Sequence, residues 1–300
     1  VQRLQDMAHQ KIQANYKVSS QQVTQAMVDE AQKVIDKLMQ REEVEDFNNT
    51  LLELFSVIPR KMGNVNDYLS RSKEDFARIL KDEQDLLDVM RGQVVTHTVQ
   101  DEPDTDDVEE KQETILEAMG LEFEETTEED VRMIKSLLGD CRDKFYRAWR
   151  VKNIKTQKRF DEFVNKEHIS KTKLLWHGSR NENWWSIINT GLVLRPTNAV
   201  ITGKMFGYGI YYAPKARKSL GYTSISGSYW ARGNSSSAFM ALMDVAYGKP
   251  YDVHSFDSKY YDFNYERLQK TCPGANCLHA HAGSMLRNDE IIVYKEDQCT

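Results

Sequence analysis

The chain has 300 residues, 40% of them hydrophobic and 29% charged, enough for two domains of ordinary size or one large one. No window approaches the eighteen or more uninterrupted apolar residues of a membrane span, and no apolar signal segment opens it. The net charge of −6 argues against this segment holding a phosphate backbone by itself, and four cysteines are too few for a disulfide scaffold, which fits a reducing, intracellular compartment.

Residues 1–93 read as helices. From Ser20 to Met39 the apolar residues Val23, Met27, Ala31, Val34, Ile35 and Leu38 have the spacing of one helical face, with Ser19 or Ser20 as cap. A second run, Leu51, Leu52, Leu54, Phe55 and Ile58, stops at Pro59. A third opens at a capping-box pair, Ser72 and Asp75, shows Phe76, Ile79, Leu80, Leu87 and Met90 on one face, and is expected to end at Gly92. Together they predict an all-α bundle.

Between Asp101 and Asp130 fifteen acidic residues face one basic residue, Lys111. Dense like charge opposes compaction, so 94–110 reads as an acidic linker, and the run as a solvated face. A short helix is expected at Glu128–Leu138. Beyond Phe145 strands dominate. One is expected at Phe145–Val151, one at Lys173–Trp176, and short buried ones at Ile210–Tyr212 and Ile291–Tyr294; Ala238–Tyr247 fits either helix or strand. The fold class is α+β: a helical bundle, then a mixed, mainly antiparallel β domain over 111–300.

Four stretches carry chemistry. Trp176-His177-Gly178-Ser179-Arg180 puts an imidazole at a strand end beside exposed backbone groups. The glycines of Thr202-Gly203-Lys204-Met205-Phe206-Gly207-Tyr208-Gly209-Ile210-Tyr211-Tyr212-Ala213 let a ligand approach the main chain, but they lead into an aromatic strand, which excludes a dehydrogenase-type dinucleotide fingerprint. Then come Lys218-Ser219-Leu220-Gly221-Tyr222 and Asn288-Asp289-Glu290-Ile291-Ile292-Val293-Tyr294, the last with a carboxylate at the mouth of a buried strand.

In this order the four motifs resemble the catalytic domain of the poly(ADP-ribose) polymerase family over residues 111–300. The stretches LLELFSVIP and DLLDVMRG resemble its regulatory helical subdomain, here 1–93. The resemblance implies cleavage of NAD⁺ as co-substrate, release of nicotinamide, and transfer of ADP-ribose to acceptor proteins and growing polymer. It assigns catalysis to Glu290, His177 and Tyr211. His177 would hold the adenosine-side ribose, Gly178 and Ser219 the carboxamide, Tyr222 and Tyr211 the two faces of nicotinamide, and Glu290 the 2-hydroxyl of its ribose. Ser179, Asn183, Lys204, Phe206, Gly209, Tyr212, Ala213 and Lys218 complete the NAD⁺-binding set, and Gly191–Gly209 would cover the donor. Single transfer or NAD⁺ hydrolysis on the same fold is the alternative, and a catalytically silent binding module a third reading.

The resemblance further implies binding of nicotinamide-like inhibitors, no membrane, and DNA stimulation only through domains outside this segment; Val at position 1 suggests such domains upstream. A nuclear location follows if the source is eukaryotic, a cytoplasmic one if bacterial. The family carries a further strand after Tyr294, and its loop before Glu290 is often longer than Cys272–Arg287. No metal is expected, because nicotinamide leaves as a neutral molecule. Cys272, Cys277, His279 and His281 do spell C-x₄-C-x-H-x-H, but zinc sites favour tighter cysteine pairs, so loop thiols and surface histidines are the preferred account. Trp184 and Trp185 are read as helix packing rather than a stacking platform.

Overall fold

Four long helices form the first part of the computed structural model, which describes residues 1–99, 115–195, 197 and 205–300. They are α1 (Gln2–Asn15), α2 (Gln25–Leu38), α3 (Val44–Val57) and α4 (Phe76–Val99). Most of the expected apolar faces are inside, with Val34, Ile35, Leu38, Leu51, Leu87 and Met90 buried, but Leu52 is exposed and Phe47, not foreseen, joins the core. The cap of α2 is Thr24, whose hydroxyl accepts from the Met27 N–H at 3.2 Å, while Ser19 caps a preceding 3₁₀ turn at Ser20–Gln22. Ser72 and Asp75 make the expected capping box, on the 3₁₀ turn that leads into α4.

Gly92 does not end α4. The helix runs on to Val99, and a Cβ at Gly92 would sit 3.0 Å from the Cα of Ser186. The glycine serves close helix packing, which looks in sequence like a terminal cap. Residues 94–99 of the expected linker are therefore helical, and 100–114 lie outside the described residues. Contacts group Val1–Met119 with Trp185–Asn189 as one unit and Gly120–Trp184 with Thr190–Thr300 as another.

Among its described residues the second unit has eight strands: β1 (Leu121–Glu125), β2 (Trp149–Asn153), β3 (Lys173–Gly178), β4 (Ile210–Tyr212), β5 (Met240–Val245), β6 (Pro250–Val253), β7 (Cys277–Ala280) and β8 (Glu290–Val293). They form the pairs β1–β2 and β3–β5 and a four-stranded sheet ordered β4-β8-β7-β6, antiparallel throughout except for β6–β7. Ala238–Tyr247 resolves as strand. The strand expected from Phe145 begins only at Trp149, and a helix over Ile154–Lys166, not foreseen, follows it with Phe160 and Phe163 buried. Part of the acidic run is strand β1, whose partner β2 is basic: Glu124 lies opposite Arg150, and Asp130 takes a two-pronged bond from Arg150 at 2.6 and 2.9 Å. Phe206, Val253, Phe263, Leu268, Leu278, Ala280, Ile292 and Tyr294 fill the core under the larger sheet. Cys299 bridges to Val245, and Asp244 and Thr300 exchange backbone hydrogen bonds, so the final residues line the edge of β5. Among the described residues no helix is long and apolar enough to cross a membrane.

Candidate active site

Strand β3 meets β4 at a single pair. Trp176 and Ala213 exchange backbone hydrogen bonds at 2.9 and 3.0 Å, and no other residues of the two strands pair. On the far side of β4, Tyr212 lies opposite Ile291 of β8, and one step further along that register Ala213 lies level with Glu290. His177 follows Trp176 in β3, and Glu290 precedes Ile291 in β8, so the two residues come from strands that flank β4 on either side. The His177 Nδ1 is 3.3 Å from the Tyr211 carbonyl oxygen, and its ring meets those of Tyr212 and Trp184 edge-on at 6.0 and 6.3 Å.

Gly178 ends β3 against the short helix Ala216–Leu220. A Cβ there would lie 2.0 Å from the Ser219 carbonyl oxygen, so only glycine permits this approach. The contact brings together the two residues expected to grip an amide. Ser219 is buried. Ser179 accepts a hydrogen bond from the Asn183 side-chain amide at 3.0 Å, and Asn183 is itself buried.

Glu290 is paired with Lys218 at 2.5 Å, and the two side chains are only 14% and 15% exposed. The Lys218 ammonium is held against the carboxylate and is not a solvated surface charge. Burial pushes the Tyr222 phenol up to about 12, and the nearby negative charge of Glu290 adds to the rise. Tyr222 therefore stays a neutral aromatic surface near the ion pair, stacked at 14° to Trp230 with centroids 6.1 Å apart. Trp230 and Tyr229, both exposed, were not singled out from sequence; two adjacent aromatics in a Gly/Ser-rich loop were the available signal.

The remaining residues divide by role. The Tyr211 hydroxyl donates to the Gly207 carbonyl at 3.0 Å and accepts from the Phe206 N–H at 3.2 Å, pinning the loop that enters β4. The Phe206 side chain is fully buried in the core cluster against which Tyr211 packs, so it does not line an open cleft. The Tyr212 phenol is also buried, pushed far up by loss of solvent, and lies by Cys299. Ala213 contributes backbone to the junction. At Gly209 a Cβ would meet Ile292 at 2.3 Å, which makes that glycine a packing requirement. Lys204, and part of the expected donor loop, lie outside the described residues.

The C-x₄-C-x-H-x-H residues do not gather around one point. Cys277 is buried in β7, its thiol pushed up to about 12 mainly by burial. His279 is buried rather than superficial, and the cluster it joins draws in Asp252 and neither cysteine. Trp184 and Trp185 are both buried, as packing residues would be.

A carboxylate paired with a largely buried ammonium beside a neutral phenol ring suits stabilising positive charge on a sugar that leaves a flat group. Residues 128–300, more than half of the chain, match the family described as "Poly(ADP-ribose) polymerase catalytic domain". The chain belongs to the poly(ADP-ribose) polymerase family and is an NAD⁺ ADP-ribosyltransferase. It is 31% identical over 181 residues to a putative poly [ADP-ribose] polymerase-like protein, 100L, of Invertebrate iridescent virus 6, covering 59% of this chain and 92% of the viral protein. It is 27% identical over 224 residues to poly [ADP-ribose] polymerase 2-A of rice, Oryza sativa subsp. japonica, covering 71% of this chain and 31% of that protein. Over 57 residues, 19% of this chain and 10% of the other, it is 49% identical to poly [ADP-ribose] polymerase 2 of Homo sapiens. The chain therefore spans nearly all of the viral relative and about a third or less of the plant and human ones.

Proposed function

We propose that the chain makes polymer, with Glu290 as the residue that separates elongation from single transfer. The observation that carries this reading is the Lys218–Glu290 pair: a carboxylate held by a cation in a nearly closed setting, beside a neutral aromatic face. In the reaction the bond between ribose C1 and the nicotinamide nitrogen breaks, and its electron pair leaves with neutral nicotinamide. Positive charge develops on the ribose, as in glycoside cleavage. A carboxylate fixed nearby stabilises charge that exists only in the transition state, which is what raises kcat. The acceptor oxygen then bonds to C1 and loses its proton. When that acceptor is a ribose hydroxyl of the growing chain, Glu290 is the group that orients it.

In this reading His177 anchors the adenosine-side ribose, Gly178 and Ser219 hold the carboxamide, and Tyr222 and Tyr211 flank the nicotinamide ring. Flat binding with fixed amide contacts sets the departure angle. The same groups would take nicotinamide-like inhibitors. The helical segment 1–93 lowers basal activity, by its resemblance to a regulatory subdomain, and this chain alone needs no DNA. A nuclear, DNA-damage setting follows from the same resemblance if the source is eukaryotic.

Incubation with labelled NAD⁺, followed by gel electrophoresis, tests the central claim. Wild type is expected to give a high-mass smear, and Glu290→Gln single transfer or NAD⁺ cleavage without polymer. Equal polymer from both ends the assignment of Glu290; single bands from wild type make the enzyme a mono-transferase. Removing residues 1–93 should raise basal turnover, and a folded deletion variant with unchanged turnover would refute the regulatory role.

A further inference from the structure

A cluster of imidazoles and carboxylates occupies the face of the β6–β7–β8 sheet opposite Glu290. Side chains alternate along a strand, so Ala280, Glu290 and Ile292 share one face while His279, Asp289 and Ile291 share the other. Parallel pairing places Asp252 of β6 beside His279 of β7, and His281 lies two residues on, past the strand end. We propose that Asp252, His279 and His281 form a binding site for a divalent transition metal of the zinc type.

The geometry supports this in three ways. One donor atom from each of the three residues lies within 4.8 Å of the others. The His279 and His281 rings stack with centroids 4.1 Å apart, which keeps the two imidazoles side by side. The His279 ring is also oriented from behind: its Nδ1 is 2.8 Å from the buried Tyr247 hydroxyl, which leaves Nε2 facing Asp289 at 2.8 Å. A ligating histidine typically has its other nitrogen hydrogen-bonded in this manner.

Asp289 is oriented in turn by the Ala282 N–H, at 2.8 Å from its Oδ1, and its Oδ2 lies 3.7 Å from His281 Nδ1. It stands ready as a fourth donor. Asp252 and His281, already 2.7 Å apart, are accessible enough to draw inward around an ion. Two imidazoles with carboxylate oxygen suit Zn²⁺, Co²⁺ or Ni²⁺ and not Mg²⁺ or Ca²⁺, which prefer oxygen alone.

Equilibrium dialysis of the full, tag-free chain against Zn²⁺, with Co²⁺ absorption as a second readout, tests the site. Wild type should bind one ion, His281→Ala should lose it, and Tyr247→Phe should weaken it by roughly tenfold. Cys272→Ser should bind as wild type does. Because His281 lies outside the strand, its variant should keep the wild-type melting profile without metal, and a His281→Asp variant restores a donor if Ala alone perturbs the fold. No stoichiometric Zn²⁺ binding by wild type, undiminished binding by both His281→Ala and Asp252→Asn, or loss through Cys272→Ser would each overturn the proposal. The outcome is independent of polymer formation, so it stands or falls apart from the role of Glu290.

Discussion

Glu83 in the helical unit and Glu290 in the sheet unit each meet a cation at 2.5 Å, yet their neighbours give the two pairs different roles. Arg60, the partner of Glu83, lies 5.4 and 5.0 Å from the ring centres of Tyr16 and Phe55, and burial pushes the Glu83 carboxyl up against the opposing pull of Arg60. That pair lies against apolar residues of the helical unit, among them Ile35, Leu54 and Leu87. Lys218 and Glu290 instead lie beside the phenol of Tyr222, among the residues proposed to receive NAD⁺. An ion pair by itself does not reveal function; the company it keeps does.

The comparison can be broken from either side. The largest effect is expected from Glu83→Ala, which leaves Arg60 buried without its partner and should cost about 3–5 kcal/mol in chemical unfolding of the helical unit. If the helical unit tolerates the change, Glu83 is not structural in the sense argued here. Next, Glu290→Gln should lower ADP-ribosyl transfer by roughly 10²–10³-fold with an unaltered melting curve, the magnitude of one lost transition-state contact. A variant that loses stability instead would make the two pairs alike. Lys218→Met should slow transfer by about tenfold, in line with the roughly 1.5 kcal/mol of a charge-assisted hydrogen bond, as read from initial rates.

The smallest effect sharpens the contrast at low pH. The Arg150 fork and the Thr127 cap hold the Asp130 carboxyl below the usual carboxylate range. A lowered folded value gives stability that is present above the ordinary value of about 4 and lost as pH falls beneath it. Asp130→Asn should therefore lower the sheet unit's melting temperature slightly at pH 7 and match wild type at low pH, which flattens the acid limb. An acid limb as steep as that of wild type would rule Asp130 out as its source.

The two units were also unequally legible in sequence. Helical faces announce themselves within a dozen residues, so Val34, Leu51 and Met90 were placed inside from spacing alone. Gly92 misled because a cap and a close helix contact call for the same residue. The helix Ile154–Lys166 was missed because it buries only Thr156, Phe160 and Phe163, too sparse a stripe to stand out beside the aromatic run before it. In the sheet unit the site motifs are contiguous and readable. What was not readable is which of them touch: Lys218 with Glu290, Gly178 with Ser219, and Asp252 with His279 are products of long-range pairing. The cysteine–histidine run reads as loop thiols and surface histidines, yet His279 is buried beside Asp252, for that same reason.

Where Gly178 meets Ser219, the spacing is fixed by main-chain atoms on both sides. Substitution can reshape a side-chain wall by degrees, but it has no handle on a wall made of backbone. Under the proposed reading, variation that retunes the enzyme toward another leaving group, or toward escape from a flat competitor, is expected at the more accessible Tyr222 and Trp230 and not at the Gly178–Ser219 contact.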